Sequence, residues 1–175
     1  MDIFEALKNR RSVRKYRKEP IPKEILTKIL EAAIQAPSAG NLQPWRFIVV
    51  RDSERKRALS GAALGQSMVA EAPTVIVVCA DLRKSARYYG ERGANLFCIQ
   101  DTAAAIQNMM LAAYALGVGT CWVGSFHEKY VSEILDVPEG TRPVAIVPVG
   151  YPAERPHLTA RKGLDEVVQN DILGD

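Results

Sequence analysis

The stretch from Ala94 to Leu116 constrains the fold more than any other part of this chain. Leu96, Ile99, Ala103, Ile106, Met110 and Ala113 or Tyr114 recur every three or four residues, and alanines fill much of what remains. That period makes one helix face, and a helix so poor in charge on its other faces is expected to be largely buried. Gly117 and Gly119 stop it. Four β-rich runs lie around it, at Phe47 to Val50, Thr74 to Ala80, Thr120 to Val123 and Pro143 to Val149. The run from Thr74 is apolar at successive positions, so both of its faces are covered and it belongs in the middle of a sheet.

Shorter helices separate the strands. Asp2 and Glu5 have the spacing of a capping box, with Ile3, Phe4 and Leu7 on one apolar face of a helix ending near Asn9. Pro22 can start a second, with Ile25, Leu26, Ile29, Leu30 and Ala33 along one side until Pro37. Helical patterns recur from Arg55 to Val69 and from His127 to Leu135. Helices between strands, around a long buried one, predict a sheet covered on both faces.

At 175 residues the chain is expected to be a single domain, residues 1–175, with no repeat or linker. A hydrophobic share of 47% predicts a packed core, and a net charge of +3 with interspersed acids is a weak nucleic-acid signal. Cys79, Cys98 and Cys121 are odd in number and set among apolar neighbours, so they read as reduced interior residues. With no signal-peptide pattern and no apolar run near the ~20 residues of a membrane span, the expectation is a soluble cytoplasmic protein. His127 and His157 are the sole histidines, so no metal site is indicated. The hydrolase elbow, P-loop and Gly-x-Gly-x-x-Gly signatures are lacking too. From about 151 to 175 the chain turns polar and regains apolar residues only at Leu164, Val167, Val168 and Ile172. Such a tail needs an apolar surface, which a partner subunit could supply.

Two runs carry most of the chemistry. Arg10-Arg11-Ser12-Val13-Arg14 concentrates guanidinium forks beside a hydroxyl, a set suited to a phosphate, although cations behind a helix also simply favour its C-terminal dipole. Ala36-Pro37-Ser38-Ala39-Gly40-Asn41-Leu42-Gln43-Pro44-Trp45 offers the neutral donors and acceptors that a heterocycle needs, or else a helix stop and turn. Together they suggest a phosphorylated planar cofactor. In Gly117 to Gly124, a backbone amide at Val123 or Gly124 could approach a planar ring closely. Cys121 in the same stretch reads as packing. Gln66, Asp101 and Gln107 are polar within apolar helical contexts. Asp101 and Gln107 read as satisfied structural polars, and Gln66 as a candidate neighbour of the planar cofactor.

The order and spacing of these runs, with Arg161-Lys162-Gly163-Leu164 near the end, resemble the FMN-dependent nitroreductase family from Ile3 through Val168. The resemblance implies an α+β fold: a nitroreductase-like mixed β-sheet flanked by helices on both faces, in an intertwined homodimer whose C-terminal segment, about 151–175, adds to the partner's sheet. It implies FMN held by Arg10, Arg11, Ser12, Arg14, Pro37, Ser38, Ala39, Asn41, Gln43, Gln66, Val123 and Gly124, with Arg161 or Lys162 returning to the phosphate. No catalytic side chain is implied. Hydride would pass from NADH or NADPH through flavin N5 to a nitroaromatic, quinone or similar small-molecule acceptor in ping-pong fashion, the protein supplying orientation and electrostatics. A non-catalytic flavin-binding or regulatory module, and a specialised dehalogenase or flavin-dependent oxidase, are the alternatives. With only Arg83 to Gly93 between the second strand and the long helix there is little material for a lid, though Tyr88 and Tyr89 could cover the ring.

Overall fold

A computed structural model describes residues 2–171 of the chain; the expectation for Ile172 lies outside them. Strand β2 (Thr74–Asp81) runs through the interior of a four-stranded sheet. It pairs antiparallel with β1 (Trp45–Val50) on one side and β4 (Thr141–Gly150) on the other, and β4 carries the two-residue β3 (Gly119–Thr120), giving the order β1-β2-β4-β3. Side chains alternate across a strand, so Ile76 and Val78 enter one core while Val75, Val77 and Cys79 enter another. Helices α2 (Lys23–Ala33) and α6 (Cys98–Ala115) close the first face. On the second lie α3 (Ser53–Ala62), α4 (Ser67–Glu71) and α7 (Glu128–Ile134). An antiparallel sheet is thereby buried on both faces, as the unbroken apolar run of β2 requires. The parallel part of the expected mixed sheet is confined, among the described residues, to one bridge between Ser12 and Thr120.

Pro143 lies inside β4, where a missing N–H would normally break the ladder. The β2–β4 register slips between Val78 and Cys79, pairing Val78 with Ala145 and Cys79 with Pro143, and this irregularity accommodates the proline.

Three expectations change. Helix α1 (Ile3–Asn9) forms, but Asp2 makes no side-chain capping bond, and Ile3, Phe4 and Leu7 face outward while Ala6 alone is buried. The segment after β2 is not a bare connection: Asp81 caps α5 (Leu82–Arg92), which kinks at Gly90 and runs through a π-helical turn, Gly93–Phe97, into α6. Ile106, Met110 and Ala113 of the expected α6 stripe are buried, together with Cys98, Thr102, Ala105 and Met109, while the expected Ile99 and Ala103 are half-buried. A short α8 (Leu164–Val167) lies in an exposed tail. No helix of the described residues is long and apolar enough to cross a membrane.

Candidate functional site

Arg10 caps the C-terminus of α1 in an extended conformation, and the chain then runs beside β3, with the Val13 amide donating to the Thr120 carbonyl at 2.9 Å. Gly119 is needed for that approach, because a Cβ there would meet the Val13 side chain at 2.9 Å. The tail returns to the same place. Arg17 donates to Tyr151 and Ala153 to Lys15, and Glu154 Oε1 accepts the amides of Arg14 at 2.6 Å and Lys15 at 3.1 Å.

These contacts enclose a cavity of about 530 Å³ in which Arg10, Arg11, Ser12, Arg14, Lys15 and Arg161 meet, with Glu154, His157 and Thr159 on its wall. Among the described residues, none of these cations has a carboxylate within ion-pairing distance. Burial, then the neighbouring charges of Arg11 and Arg161, hold the Arg10 guanidinium below its ordinary pKa. Such mutual repulsion is relieved by an anion. Arg11 also has a structural duty, its Nη1 donating to the carbonyls of Lys8 and Arg10 at the end of α1. Arg161 lines the cavity and Lys162 does not. Burial raises the pKa of the neighbouring Cys121 thiol, as for a packing cysteine.

Arg14 and Lys15 open onto a second cavity, about 410 Å³, shared with Gln66, Ser67, Met68 and Glu71. Gln66 precedes α4, and its Nε2 donates to the carbonyls of Ala63 at 3.0 Å and Ser125 at 3.2 Å, so it ties this wall to the loop carrying Gly124. The Val123 N–H donates to the Ile146 carbonyl across the sheet and its C=O accepts the Ile146 N–H, so its one backbone donor is taken, whereas the exposed Gly124 amide has no partner among the described residues.

Residues 37–43 sit elsewhere. They precede β1 at the opposite corner of the sheet, where Trp45 pairs with Ala80 and Ala80 with Arg142. Ser12 adjoins Thr120, which pairs with Val149. Four strand steps of about 4.8 Å and the seven residues from Arg142 to Val149 at about 3.3 Å each put these corners roughly 30 Å apart. In the loop, Gly40, Asn41 and Gln43 have φ of 56°, 54° and 50°. Ser38 Oγ accepts the Gln43 amide at 2.9 Å, Gln43 Nε2 donates to Asn41 Oδ1 at 3.2 Å, and the Ala39 amide donates to Asp101 Oδ1 at 3.0 Å. Pro37 is exposed. Tyr89 lies over Gly40, its hydroxyl where any Cβ would stand. Asp101 is not the satisfied polar expected, since its Oδ2 is buried without a partner among the described residues. Gln107 is half-buried, with no side-chain hydrogen bond among the described residues.

Lys15, Glu154 and His157 were not among the residues the sequence pointed to. The basic run Arg14-Lys15-Tyr16-Arg17-Lys18 was the available signal for Lys15, but nothing local marks Glu154 or His157.

The fold is an α+β sandwich with a cation-lined cavity at one sheet edge and a polar loop at the far corner, and the charge of that cavity suits an anion. The chain belongs to the nitroreductase family, whose model matches residues 7–67 and 60–151. It is 40% identical over 195 residues to an NADH dehydrogenase of Thermus thermophilus, covering 96% of this chain and 95% of that one. Identity to an FMN reductase [NAD(P)H] of Bacillus subtilis is 30% over 167 residues, covering 88% and 67% of the two chains. The solved NADPH:FMN oxidoreductase of Vibrio harveyi complexed with NAD+ superposes with a TM-score of 0.91 at 27% identity, covering 99% of this chain and 78% of that one.

Proposed function

We propose that the chain is an FMN-dependent oxidoreductase taking reducing equivalents from NADH or NADPH and delivering them to a quinone, nitroaromatic or similar acceptor. The observation that carries this reading is the cluster of Arg10, Arg11, Arg14 and Arg161 around one cavity with no carboxylate ion-paired to any of them among the described residues. A phosphate there would replace repulsion by charge-assisted hydrogen bonds. The names of the Bacillus relative, an FMN reductase [NAD(P)H], and of the Vibrio one, an NADPH:FMN oxidoreductase, support the cofactor and the nicotinamide donor.

FMN, when bound, supplies the hydride-accepting and hydride-donating centre. Arg10, Ser12 and Arg161 would hold its phosphate. Arg14, between the two cavities, would place a cation at the pyrimidine edge, where negative charge develops on reduction. Gln66 fixes the neighbouring wall, and the Gly124 amide is left to meet the ring. Proton transfer by a side chain is not required for hydride movement, so positioning and electrostatics are the protein's share.

The loop at residues 37–43 is too far from Arg10 to touch the same FMN within one chain, which supports a homodimer in which each copy completes the other's site. Exposed Ile3, Phe4 and Leu7 on α1, together with Leu158, Leu164, Val167 and Val168 in the tail, supply the apolar surface such a dimer would bury. Strand β1 is a free sheet edge among the described residues, open to a partner's tail from about 151 onward. We read residues 1–175 as one domain. Its three buried, unpaired cysteines favour a reducing, cytoplasmic setting. The test compares FMN with riboflavin: tight FMN binding and much weaker riboflavin binding support a phosphate in the cationic cavity, and equal affinities contradict it.

A further inference from the structure

Among the described residues, Asp101 is the one buried carboxylate, 7% exposed in the first turn of α6. Its oxygens are unequal. Oδ1 accepts the Ala39 amide at 3.0 Å, while Oδ2 is shut away from solvent and has no hydrogen-bond partner among the described residues. A buried carboxylate with an idle oxygen is unfavourable compared with a small apolar residue at the same place. Burial accordingly raises its pKa, and the Ala39 bond opposes that rise.

What this carboxylate secures is a loop in which three of the four residues 40–43 have positive φ. Gly40, Asn41 and Gln43 all occupy the left-handed region, which glycine adopts freely, asparagine with tolerance and glutamine with reluctance. The other side-chain ties of residues 38–43, from Gln43 to Ser38 and to Asn41, are internal to the loop. Among the described residues, the Ala39–Asp101 bond is the hydrogen bond that fastens this loop to a helix.

We propose that Asp101 is a positioning residue, holding residues 38–43 from beneath so that Ser38, Ala39 and Asn41 keep the conformation in which they meet the flavin. The role rests on the reading of this loop as part of the FMN site. What matters for it is an acceptor oxygen at position 101. Asp101→Asn keeps one and Asp101→Ala does not. Ala39→Pro removes the bond from the other side at a position that tolerates it, because Ala39 opens its 3-10 turn and Ser38 is already extended at φ −146° and ψ 152°.

The experiment has two readouts: amide hydrogen exchange of residues 38–43 in flavin-free protein, and FMN affinity by fluorescence titration. Asp101→Ala and Ala39→Pro should each speed exchange in the loop and weaken FMN binding about tenfold, the loss expected for one charge-assisted bond. The double variant should be no worse than either single one, because both remove the same bond. Asp101→Asn should stay within about twofold of the wild type in both measurements. Unchanged exchange in Asp101→Ala, or multiplied losses in the double variant, would overturn the clamp. Faster exchange with unchanged FMN affinity would overturn its positioning role. If Asp101→Ala fails to fold, Ala39→Pro against Asp101→Asn decides by the same criteria. Wild-type protein that binds no FMN removes the flavin reading and the positioning role with it, while exchange still reports whether the clamp exists.

Discussion

Arg10 gathers the clearest electrostatic signal in the molecule: a half-buried guanidinium whose nearest charges are other cations. Replacing it by alanine removes charge-assisted donors from a proposed phosphate, worth about 1.5–3 kcal/mol, so Arg10→Ala should bind FMN roughly tenfold to a hundredfold more weakly in a calorimetric titration. Lys162→Ala should bind as the wild type does, because Arg161 is the tail cation that lines the cavity. Asp101 adds a dependence on pH. Its folded pKa is raised above the unfolded value, so its favourable contribution is present below the ordinary carboxylate range and is lost as pH rises through the folded pKa. Thermal melts should therefore show the melting temperature of Asp101→Asn gaining on the wild type as pH rises above the ordinary carboxylate range; a constant difference would contradict an ionising, half-paired carboxylate. Much of the site was legible at this scale, because residues 10–14 and 37–43 are local strings whose chemistry is visible in order. Glu154 and His157 were not, since they reach the cavity only when the tail folds back on Lys15 through Ala153. The same holds for the loss of the Val123 amide, which is decided by pairing with Ile146, 23 residues further on.

Strand positions were read well wherever apolar alternation or continuity spoke plainly, as in Thr74 to Ala80, which extends by one residue in the structure. Helix α5 was missed because its sequence, Leu82 to Arg92, is charged and carries glycine at position 90, features that read as a connection. Asp81 gives it a start by accepting the Lys84 amide, a cap that the strand reading had absorbed. Gly90 has φ 57° and ψ −146°, a region close to glycine-only, and a Cβ there would touch nothing within 4 Å. Gly90→Ala is thus a test of backbone strain without a clash, and chemical denaturation should show a loss of about 1–3 kcal/mol. No loss would mean that the kink is not intrinsic to the element. Helix α6 buries the expected Ile106, Met110 and Ala113 but also Met109 and Ala105, because alanines surround the helix and composition sets a buried helix without choosing between neighbouring stripes.

For the whole molecule a site shared between copies is expected, because two ligand-like segments of one chain stand at opposite corners of the sheet. Arg10→Ala and Asn41→Ala homodimers should each be impaired at both sites. Subunit exchange between them should restore FMN-dependent turnover at about a quarter of the sites, since random pairing makes half the dimers mixed and each mixed dimer carries one intact site. No recovery would place both segments on one copy's ligand. That partition was not legible from the strings alone; it follows from where the sheet puts their ends. The decisive experiment on the flavin reading is the absorbance spectrum of the purified protein from about 300 to 600 nm, recorded anaerobically before and after NADH or NADPH, since flavin chemistry carries the reaction. An FMN-dependent oxidoreductase should show paired flavin bands that bleach with a nicotinamide donor and return when a quinone or nitroaromatic is added. A protein that takes up no FMN, or whose flavin bands persist with both donors, would contradict it.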